Sequence, residues 1–313
     1  MSFAADTKNE LVGVQIEKKC CMLAEIAGFL RMFGSFTLAE DDKVMILVST
    51  ENPAIARRYK KLIKDYFNIN VDVEIGQGEG IKKGRTYSLR IPSEEKSEQM
   101  LRESGILMVR EGRNFINEGI YDGIIKTKCC KKAYLRGAFL GVGTISDPEK
   151  GYHIEFVCAT QTLASDLRKL INSFVDMHAK MVQRKKSYIV YIKESGQITD
   201  ILNIMGAHSH LFAFENVKII KEMRNKANRA LNCDSANLDK TIHAAERQIE
   251  NIKKIESKKG LGFLPDKLYD VAVARLNNPD ASLIELAELM DPPMKKSGIN
   301  NRFKKIEEIA KKL

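Results

Sequence analysis

Two adjacent pairs of cysteines are the first residues in this sequence whose types could do chemistry. Cys20-Cys21 and Cys129-Cys130 recur with an offset of 109 residues. Neither pair has the two-residue gap with which a CxxC segment holds one zinc ion. We therefore predict reduced, mostly buried thiols and no metal site. The alternative left open is that adjacent thiols from two elements converge on a single metal or redox site.

Two other segments have residue types that occur in active sites. His208 and His210 flank Ser209, but no third partner stands at the spacing of a metal site or a catalytic triad, so we expect structural histidines. The glycine-rich stretch 76–80 precedes Ile81-Lys82-Lys83 and lacks the Ser or Thr and the helix of a phosphate-binding loop. We expect a hairpin turn there and no bound cofactor.

Size and charge limit the class of protein. A chain of 313 residues with 44% hydrophobic content is expected to form at least two cores. The net charge of +10 favours a polyanionic partner, and residues 292–313 contain seven cations against two acids. Residues 1–11 lack the apolar core of a signal peptide, and no apolar run is long enough to span a bilayer. We expect a cytoplasmic protein with no membrane partner.

The cysteine pairs begin an internal repeat, because CCMLAEIAGFLRMFGSF is followed 109 residues later by CCKKAYLRGAFLGVGTI. Both copies predict a helix that is buried on most sides. A glycine inside a helix costs about 1 kcal/mol relative to alanine, so Gly28 and Gly137 predict a close approach of two helix backbones. Gly34 and Gly143 are expected to end these helices.

The segments after each helix repeat as well. MILVST near Met45 matches HIEFVCAT near His153, and TYSLRI from Thr86 matches SYIVYI from Ser187, each with the alternation of a half-buried strand. Each half is predicted to be roughly αββαββα. We therefore predict an α+β domain over residues 1–214 with pseudo-twofold halves, about 1–110 and 120–214, whose two sheets form one saddle.

Residues 215–260 contain no proline and no glycine before Gly260, which predicts a long helical linker with a break near residues 232–234. Arg224, Asn228 and Arg229 are spaced so that several polar residues share one helical face. That face is expected either to follow a phosphate backbone or to be a solvated or bridging surface, and the sequence favours neither.

Residues 261–313 predict an all-α domain of three short helices. The first follows Pro265, and Ser282 with Glu285 forms a capping box at the start of the second. A third helix follows Ser297. Its predicted inward residues recur at helical spacing: Ile299, Phe303, Ile306 and Ala310.

The outer residues of the third helix suit DNA recognition. Asn can bind adenine and Arg can bind guanine through two hydrogen bonds each in the major groove, whereas lysines and the helix N-terminus bind phosphate. The alternative is a plain basic surface helix. The predicted DNA-binding residues here are Lys295, Lys296, Ser297, Asn300, Asn301, Arg302, Lys304 and Lys305.

The two repeated helices resemble the LAGLIDADG helices of homing endonucleases, with the nine-residue motif at 26–34 and 135–143. In that family the acid before the last glycine binds the catalytic metal. Here Phe33 and Val142 occupy those positions, so the resemblance implies a lost metal site and no catalytic residue. Asp42, Asp147 and Glu149 are the acids that could substitute, and we expect them to be turn residues. 

A more specific resemblance, to the bacterial WhiA family, spans nearly the whole chain. It rests on KCCMLAEIAGFLRMFGS, CCKKAYLRGAFLGVGTISDPEKGYHIEF, IMGAHSHLFAFENVKIIKEMRNKANRALNCDSANLDKT and KKSGINNRFKK. The resemblance implies a degenerate homing-endonuclease domain, a helical linker and a helix-turn-helix that control transcription, in sporulation in some lineages and in cell division or chromosome segregation in others.

These observations predict a nucleoid-associated transcription regulator that is not an enzyme. Its expected partners are double-stranded DNA and other transcription proteins, and the first domain, whose halves satisfy each other, is expected to be a monomer. Two alternatives remain: an active metal-dependent endonuclease with relocated ligands, and a scaffold whose saddle binds protein.

Overall fold

The structure of the chain is a computed structural model that describes residues 2–38, 44–77, 85–91 and 95–313. Its contacts divide the chain into two compact units, Met1–Ile220 and Lys221–Leu313. Asp42, Lys82 and Lys83, which the sequence singled out, lie outside the described residues.

The first unit contains two copies of the same order of elements. The first copy comprises α2 (Lys19–Phe33), β1 (Ser35–Leu38), β2 (Val44–Thr50), α3 (Pro53–Phe67), β3 (Asp72–Gln77), β4 (Arg85–Ile91) and α4 (Glu95–Glu103). The second comprises α5 (Lys128–Val142), β7 (Gly143–Ile145), β8 (Ile154–Cys158), α6 (Gln161–Asn172), β9 (Lys180–Arg184), β10 (Ser187–Ile192) and α7 (Ser195–Met205). Helix α1 (Phe3–Val12) precedes the first copy, and the hairpin of β5 (Leu107–Arg110) and β6 (Arg113–Ile116) separates the two. The predicted αββαββα order is confirmed in both halves.

Both copies build the same antiparallel sheet. The strand orders are β1-β2-β4-β3 and β7-β8-β10-β9. Burial alternates along the strands, so that Val48 and its partner Leu89 face the core whereas Leu47 and its partner Arg90 face outward. One face of each sheet is therefore packed and the other is exposed, as the alternation of the sequence predicted.

The repeated helices α2 and α5 pack against each other through their glycines. A Cβ atom on Gly28 would lie 2.3 Å from the carbonyl oxygen of Tyr134, and one on Gly137 would lie 2.2 Å from that of Glu25. Tyr134 and Glu25 are themselves equivalent positions of the repeat, so the contact is reciprocal. The predicted close approach of two helix backbones is confirmed, and any side chain at either position would force the helices apart.

Gly34 and Gly143 end α2 and α5, as predicted. Their backbones are extended, so glycine is not needed there for a left-handed conformation. Crowding is the reason instead, because a Cβ on Gly143 would lie 2.2 Å from the ring of Phe139.

Helix α8 (His208–Lys259) is a single element of 52 residues. The predicted break near residues 232–234 is wrong, because the helix continues through them. Asn232, Cys233 and Asp234 are exposed, and without a glycine or proline nothing local interrupts the hydrogen-bond ladder. None of the described helices combines the length and the apolar character required to cross a bilayer.

The second unit contains the three predicted helices, α9 (Asp266–Asn277), α10 (Leu283–Glu288) and α11 (Lys296–Lys312). Pro265 is the N-cap of α9, and the capping box of Ser282 and Glu285 is present at α10. The core also takes Ile252 and Ile255 from the last turns of α8, so four helices build it. Together the two units confirm an α+β fold followed by an all-α unit.

Candidate nucleic-acid interface

Helix α11 presents a polar surface opposite its apolar side. Ile299, Phe303, Ile306 and Ala310 are buried, as predicted from their spacing. Ser297, Asn301 and Lys304 are exposed and fall at positions i, i+4 and i+7, which places them in one stripe on the far side from the core. The other exposed residues of the predicted set are Lys295, Lys296, Asn300 and Lys305.

Arg302 differs from the other predicted DNA-binding residues. It is half-buried on the flank of α11 that faces α9, and its guanidinium donates a hydrogen bond of 3.2 Å to the backbone carbonyl of Lys267. The side chain is therefore partly engaged inside the unit. Its predicted role in base recognition would require this bond to be exchanged for one to DNA.

The start of α11 concentrates positive charge. Lys295 is its N-cap and Lys296 is its first residue. The free backbone N–H groups and the positive end of the helix dipole add to the two ammonium groups there. This arrangement suits a phosphate group, because an anion at a helix N-terminus gains both hydrogen bonds and favourable electrostatics.

Three linker residues were predicted to follow a phosphate backbone. All of them are exposed on α8: Arg224, Asn228 and Arg229. Arg224 and Asn228 are one turn apart on the same face, which also includes Asn225 and Asn232. Arg229 points away from the centre of that face by the helical spacing. The polar face predicted from the sequence is thus solvent-accessible, and its function stays a prediction.

The exposed face of the first sheet carries side chains of both positive and negative charge. Arg90 stands between Asp72 and Leu47 in the register, and its guanidinium forms an ion pair of 3.4 Å with Glu74. A sheet that docks on DNA is expected to carry mainly cations, because the phosphates supply most of the attraction. Two acids beside one arginine fit that role poorly.

The second sheet has a similar exposed face. Tyr191 lies between Glu155 and Lys180 in the register, and the carboxylate of Glu155 is 4.0 Å from the guanidinium of Arg184. The next row is apolar: Val157 and Val182 are exposed, and Ile189 is buried between them. Mixed charge and exposed apolar side chains are features of surfaces that bind protein.

Apolar side chains occupy the two positions at which homing endonucleases have their metal-binding acids. Phe33 packs against Phe29, with ring centroids 5.7 Å apart, and a Cβ on Gly141 of the other helix would lie 3.0 Å from the Cβ of Phe33. Val142 is half-buried at the corresponding end of α5. Neither side chain offers an oxygen to a metal ion.

A cleft of about 740 Å³ opens beside Phe33. Lys8 and Arg57 bring two cations to its wall, and Glu51 brings one acid. Burial lowers the pKa of Lys8 to about 8, so that this amine is still largely protonated at neutral pH.

Asp147 is one of the acids that were considered as substitute metal ligands. Its carboxylate accepts a hydrogen bond of 3.0 Å from the backbone N–H of Glu149, as expected of a turn residue.

Sequence patterns did not reveal the buried ion network between the repeated helices. The carboxylate of Glu25 is fully buried and accepts hydrogen bonds from Nε of Arg58 at 2.5 Å and from Nε of Arg136 at 2.6 Å. The two guanidinium groups also donate to backbone carbonyls of Val12 and Met205. This network joins α2, α3 and α5 at the point where the helices cross.

Helix α8 begins at His208, which is exposed, and the imidazole of His210 is held by contacts within the first unit. The carboxylate of Glu10 accepts hydrogen bonds from the backbone N–H groups of Ser209 at 2.6 Å and His210 at 3.0 Å, and it also contacts the imidazole of His210. Glu10 therefore caps the helix through the orphan N–H groups of its first turn. Hydrogen bonds from these groups, against the opposing effect of burial, lower the pKa of Glu10.

The two cysteine pairs converge in the structure. The Sγ atoms of Cys20, Cys21, Cys129 and Cys130 all lie within 4.8 Å of one another. Cys21 and Cys130 are buried, whereas Cys20 is exposed and Cys129 is half-buried. A hydrogen bond with Thr127 lowers the pKa of Cys129 to about 7. Among the described residues, no group of three or more carboxylates or imidazoles lies close enough to share an ion.

The duplicated fold and the terminal helices define a class: a LAGLIDADG-like domain followed by a helix-turn-helix unit. Three domain families match the chain. They are the WhiA N-terminal LAGLIDADG-like domain over residues 19–107, the WhiA LAGLIDADG-like domain over 131–224 and the WhiA C-terminal HTH domain over 227–310.

Whole-chain comparisons agree with these domain matches. A protein of Alkaliphilus metalliredigens named "Probable cell division protein WhiA" is 47% identical over 310 residues, which cover 99% of this chain and 98% of the relative. A protein of the same name from Thermoanaerobacter pseudethanolicus is 47% identical over 313 residues, which cover 100% and 98%. The crystal structure of full-length DUF199/WhiA from Thermatoga maritima is similar with a TM-score of 0.61 and 25% identity, covering 100% of this chain and 99% of that one. The chain belongs to the WhiA family.

Proposed function

We propose that this protein is a DNA-binding transcription regulator that acts in cell division and contacts DNA through α11. The observation that carries the proposal is the exposed stripe of Ser297, Asn301 and Lys304 beside the cationic start of the same helix. The match to a helix-turn-helix family supports the DNA partner, and the names of the relatives support the cellular process.

In this proposal α11 lies in the major groove. Asn301 reads a base edge, since its amide can donate and accept at adenine, and Lys304 and Ser297 contact neighbouring positions of the same stripe. Lys295 and Lys296 each bind a phosphate group and set the register of the helix on the duplex. Asn300 and Lys305 flank the stripe and contact the backbone on either side of it.

The salt dependence of duplex binding tests this assignment. Removing both cations in a Lys295→Ala, Lys296→Ala variant is expected to reduce the slope of log K against log salt by about 1.8, since each phosphate contact contributes about 0.9. The measurement is a fluorescence-anisotropy titration of a labelled duplex with the full chain at a series of salt concentrations.

A matched variant removes two cations from the second sheet, Lys180→Ala with Arg184→Ala. Its slope is expected to equal that of the unmodified protein, because acids and apolar residues surround these cations on the sheet. If the sheet variant lost the salt dependence and the α11 variant kept it, the proposed interface would be wrong. The first unit would then be the DNA-binding surface.

We further propose that the first unit is not a nuclease and holds partners instead. Phe33 and Val142 cannot ligate a divalent ion, and the cationic side chains of Lys8 and Arg57 oppose the binding of a metal cation in the adjacent cleft. The mixed charge of the sheet faces and the exposed Val157 and Val182 of the second sheet support a protein partner there, such as another transcription protein.

Absence of cleavage is the expected result when supercoiled plasmid is incubated with the purified protein and Mg²⁺ or Mn²⁺. The measurement is the conversion of supercoiled to nicked or linear DNA on a gel, with protein in excess over plasmid. Cleavage that disappeared in an Asp147→Asn variant would contradict the proposal and would assign relocated metal ligands to this fold.

A further inference from the structure

The convergence of the four thiols follows from the repeat. Cys20 and Cys21 lie in the first turn of α2, and Cys129 and Cys130 lie in the first turn of α5. Because α2 and α5 pack along each other, equivalent positions of the two helices meet at one end of the pair. The thiols therefore stand at the opposite end from Phe33 and Val142, away from the cleft where a nuclease holds its metal.

The spacing of the sulfur atoms matches a single tetrahedral ion. Around Zn²⁺, with Zn–S bonds of about 2.3 Å, tetrahedral geometry places the four sulfurs about 3.8 Å apart. All four Sγ atoms here are already within 4.8 Å of one another, so small side-chain rotations complete the arrangement. An iron–sulfur cluster spreads its thiolates over several iron atoms and needs them further apart.

The surroundings suit a group of thiolates. Both pairs lie at helix N-termini, where the helix dipole stabilises negative charge. Lys18 and Lys132 line the same surface depression as Cys21 and Cys129, and their charges offset the net negative charge of four thiolates around one divalent ion. Thr127 Oγ1 lies 3.2 Å from the Sγ of Cys129, in the position of an outer-shell hydrogen bond.

We propose that Cys20, Cys21, Cys129 and Cys130 together bind one Zn²⁺ ion, which links the two halves of the first unit. Each helix supplies one adjacent pair, so the CxxC spacing that one segment needs is not required. With four protein ligands the coordination is closed, which makes the site structural. Each thiol that ligates the ion as a thiolate releases its proton to solvent. The exposed Cys20 and half-buried Cys129 give the ion a path from solvent.

Titration of the reduced, chelator-stripped full chain with Co²⁺ and then Zn²⁺ tests this site. We expect one equivalent of Co²⁺ to bind with the absorption of a tetrahedral thiolate complex, and Zn²⁺ to displace it. In a Cys20→Ser, Cys129→Ser variant, the loss of affinity is expected to exceed the roughly 10- to 100-fold that removal of an outer-shell partner costs. Cys233→Ser, which changes an exposed cysteine on α8, is the control and should bind as the unmodified protein does.

Thiol alkylation of the unmodified protein gives a second measurement that does not depend on the folding of variants. Zn²⁺ is expected to protect the four clustered cysteines from alkylation while Cys233 still reacts. Equal alkylation with and without Zn²⁺, or Co²⁺ binding unchanged in the double variant, would overturn the proposal. So would two disulfides among these four cysteines in protein purified without reductant, since the cluster would then consist of two redox-active pairs of thiols.

Discussion

Replacing Glu25 with glutamine is expected to lower the free energy of unfolding of the first unit by about 3–5 kcal/mol. The buried carboxylate is the shared partner of Arg58 and Arg136, which are themselves largely buried. The amide keeps the shape but loses the charge, which leaves two guanidinium groups in the core without a counter-ion. Removal of one member of a buried ion network is costly because the remaining charges stay desolvated.

Urea denaturation followed by tyrosine fluorescence measures this loss. The chain has no tryptophan, and eight of its nine tyrosines lie in the first unit, so the signal reports mainly on that unit. The matched control is Glu98→Gln, which breaks the exposed ion pair of Glu98 with Arg102 at 2.6 Å. That pair is expected to contribute about 0–1 kcal/mol. Equal losses in the two variants would show that the Glu25 network does not stabilise the helix crossing.

An Asn301→Ala substitution is expected to weaken binding to the preferred duplex by about 1–3 kcal/mol, or about 5- to 150-fold. The side chain is exposed in the middle of the stripe on α11, so its removal deletes a base contact without disturbing the core. Binding to an unrelated duplex rests on phosphate contacts and should hardly change. The ratio of the two affinities is therefore expected to fall by the same factor as the affinity for the preferred duplex.

The measurement begins with selection of preferred sites from a random duplex library, followed by titration of the best site and a scrambled duplex. Asn237→Ala is the control, since it removes an exposed asparagine of α8 that is not among the predicted DNA-binding residues. We expect this control to leave the ratio of the two affinities unchanged. If the combined loss of Asn301 and Arg302 left the site preference untouched, α11 would not be the reading helix.

Local patterns predicted the secondary structure well because they depend on neighbours within a few residues. The period-two alternation around Met45 and Thr86 yields strands, and the capping box at Ser282 starts a helix as expected. The predicted break near residues 232–234 was wrong. Asparagine and aspartate are weak helix formers, but without glycine or proline they do not end a long helix.

The sequence predicted the DNA-binding surface of α11 less completely than it predicted the secondary structure. Exposure of Asn301 and Lys304 followed from the spacing of Ile299, Phe303 and Ile306, because a helix has one inward face. The contact of Arg302 with the carbonyl of Lys267 did not follow, since it depends on where α9 packs.

The sequence by itself determined the duplicated αββαββα order, the two helix-crossing glycines, the terminal helices and the loss of the acids at Phe33 and Val142. These features depend on the types of individual residues and on periodicities of two to four residues. The tertiary structure alone decided that Glu25 lies between Arg58 and Arg136, and that four cysteines from two distant segments meet. Such groupings depend on how helices more than a hundred residues apart pack, and packing is set by the shape of the whole core.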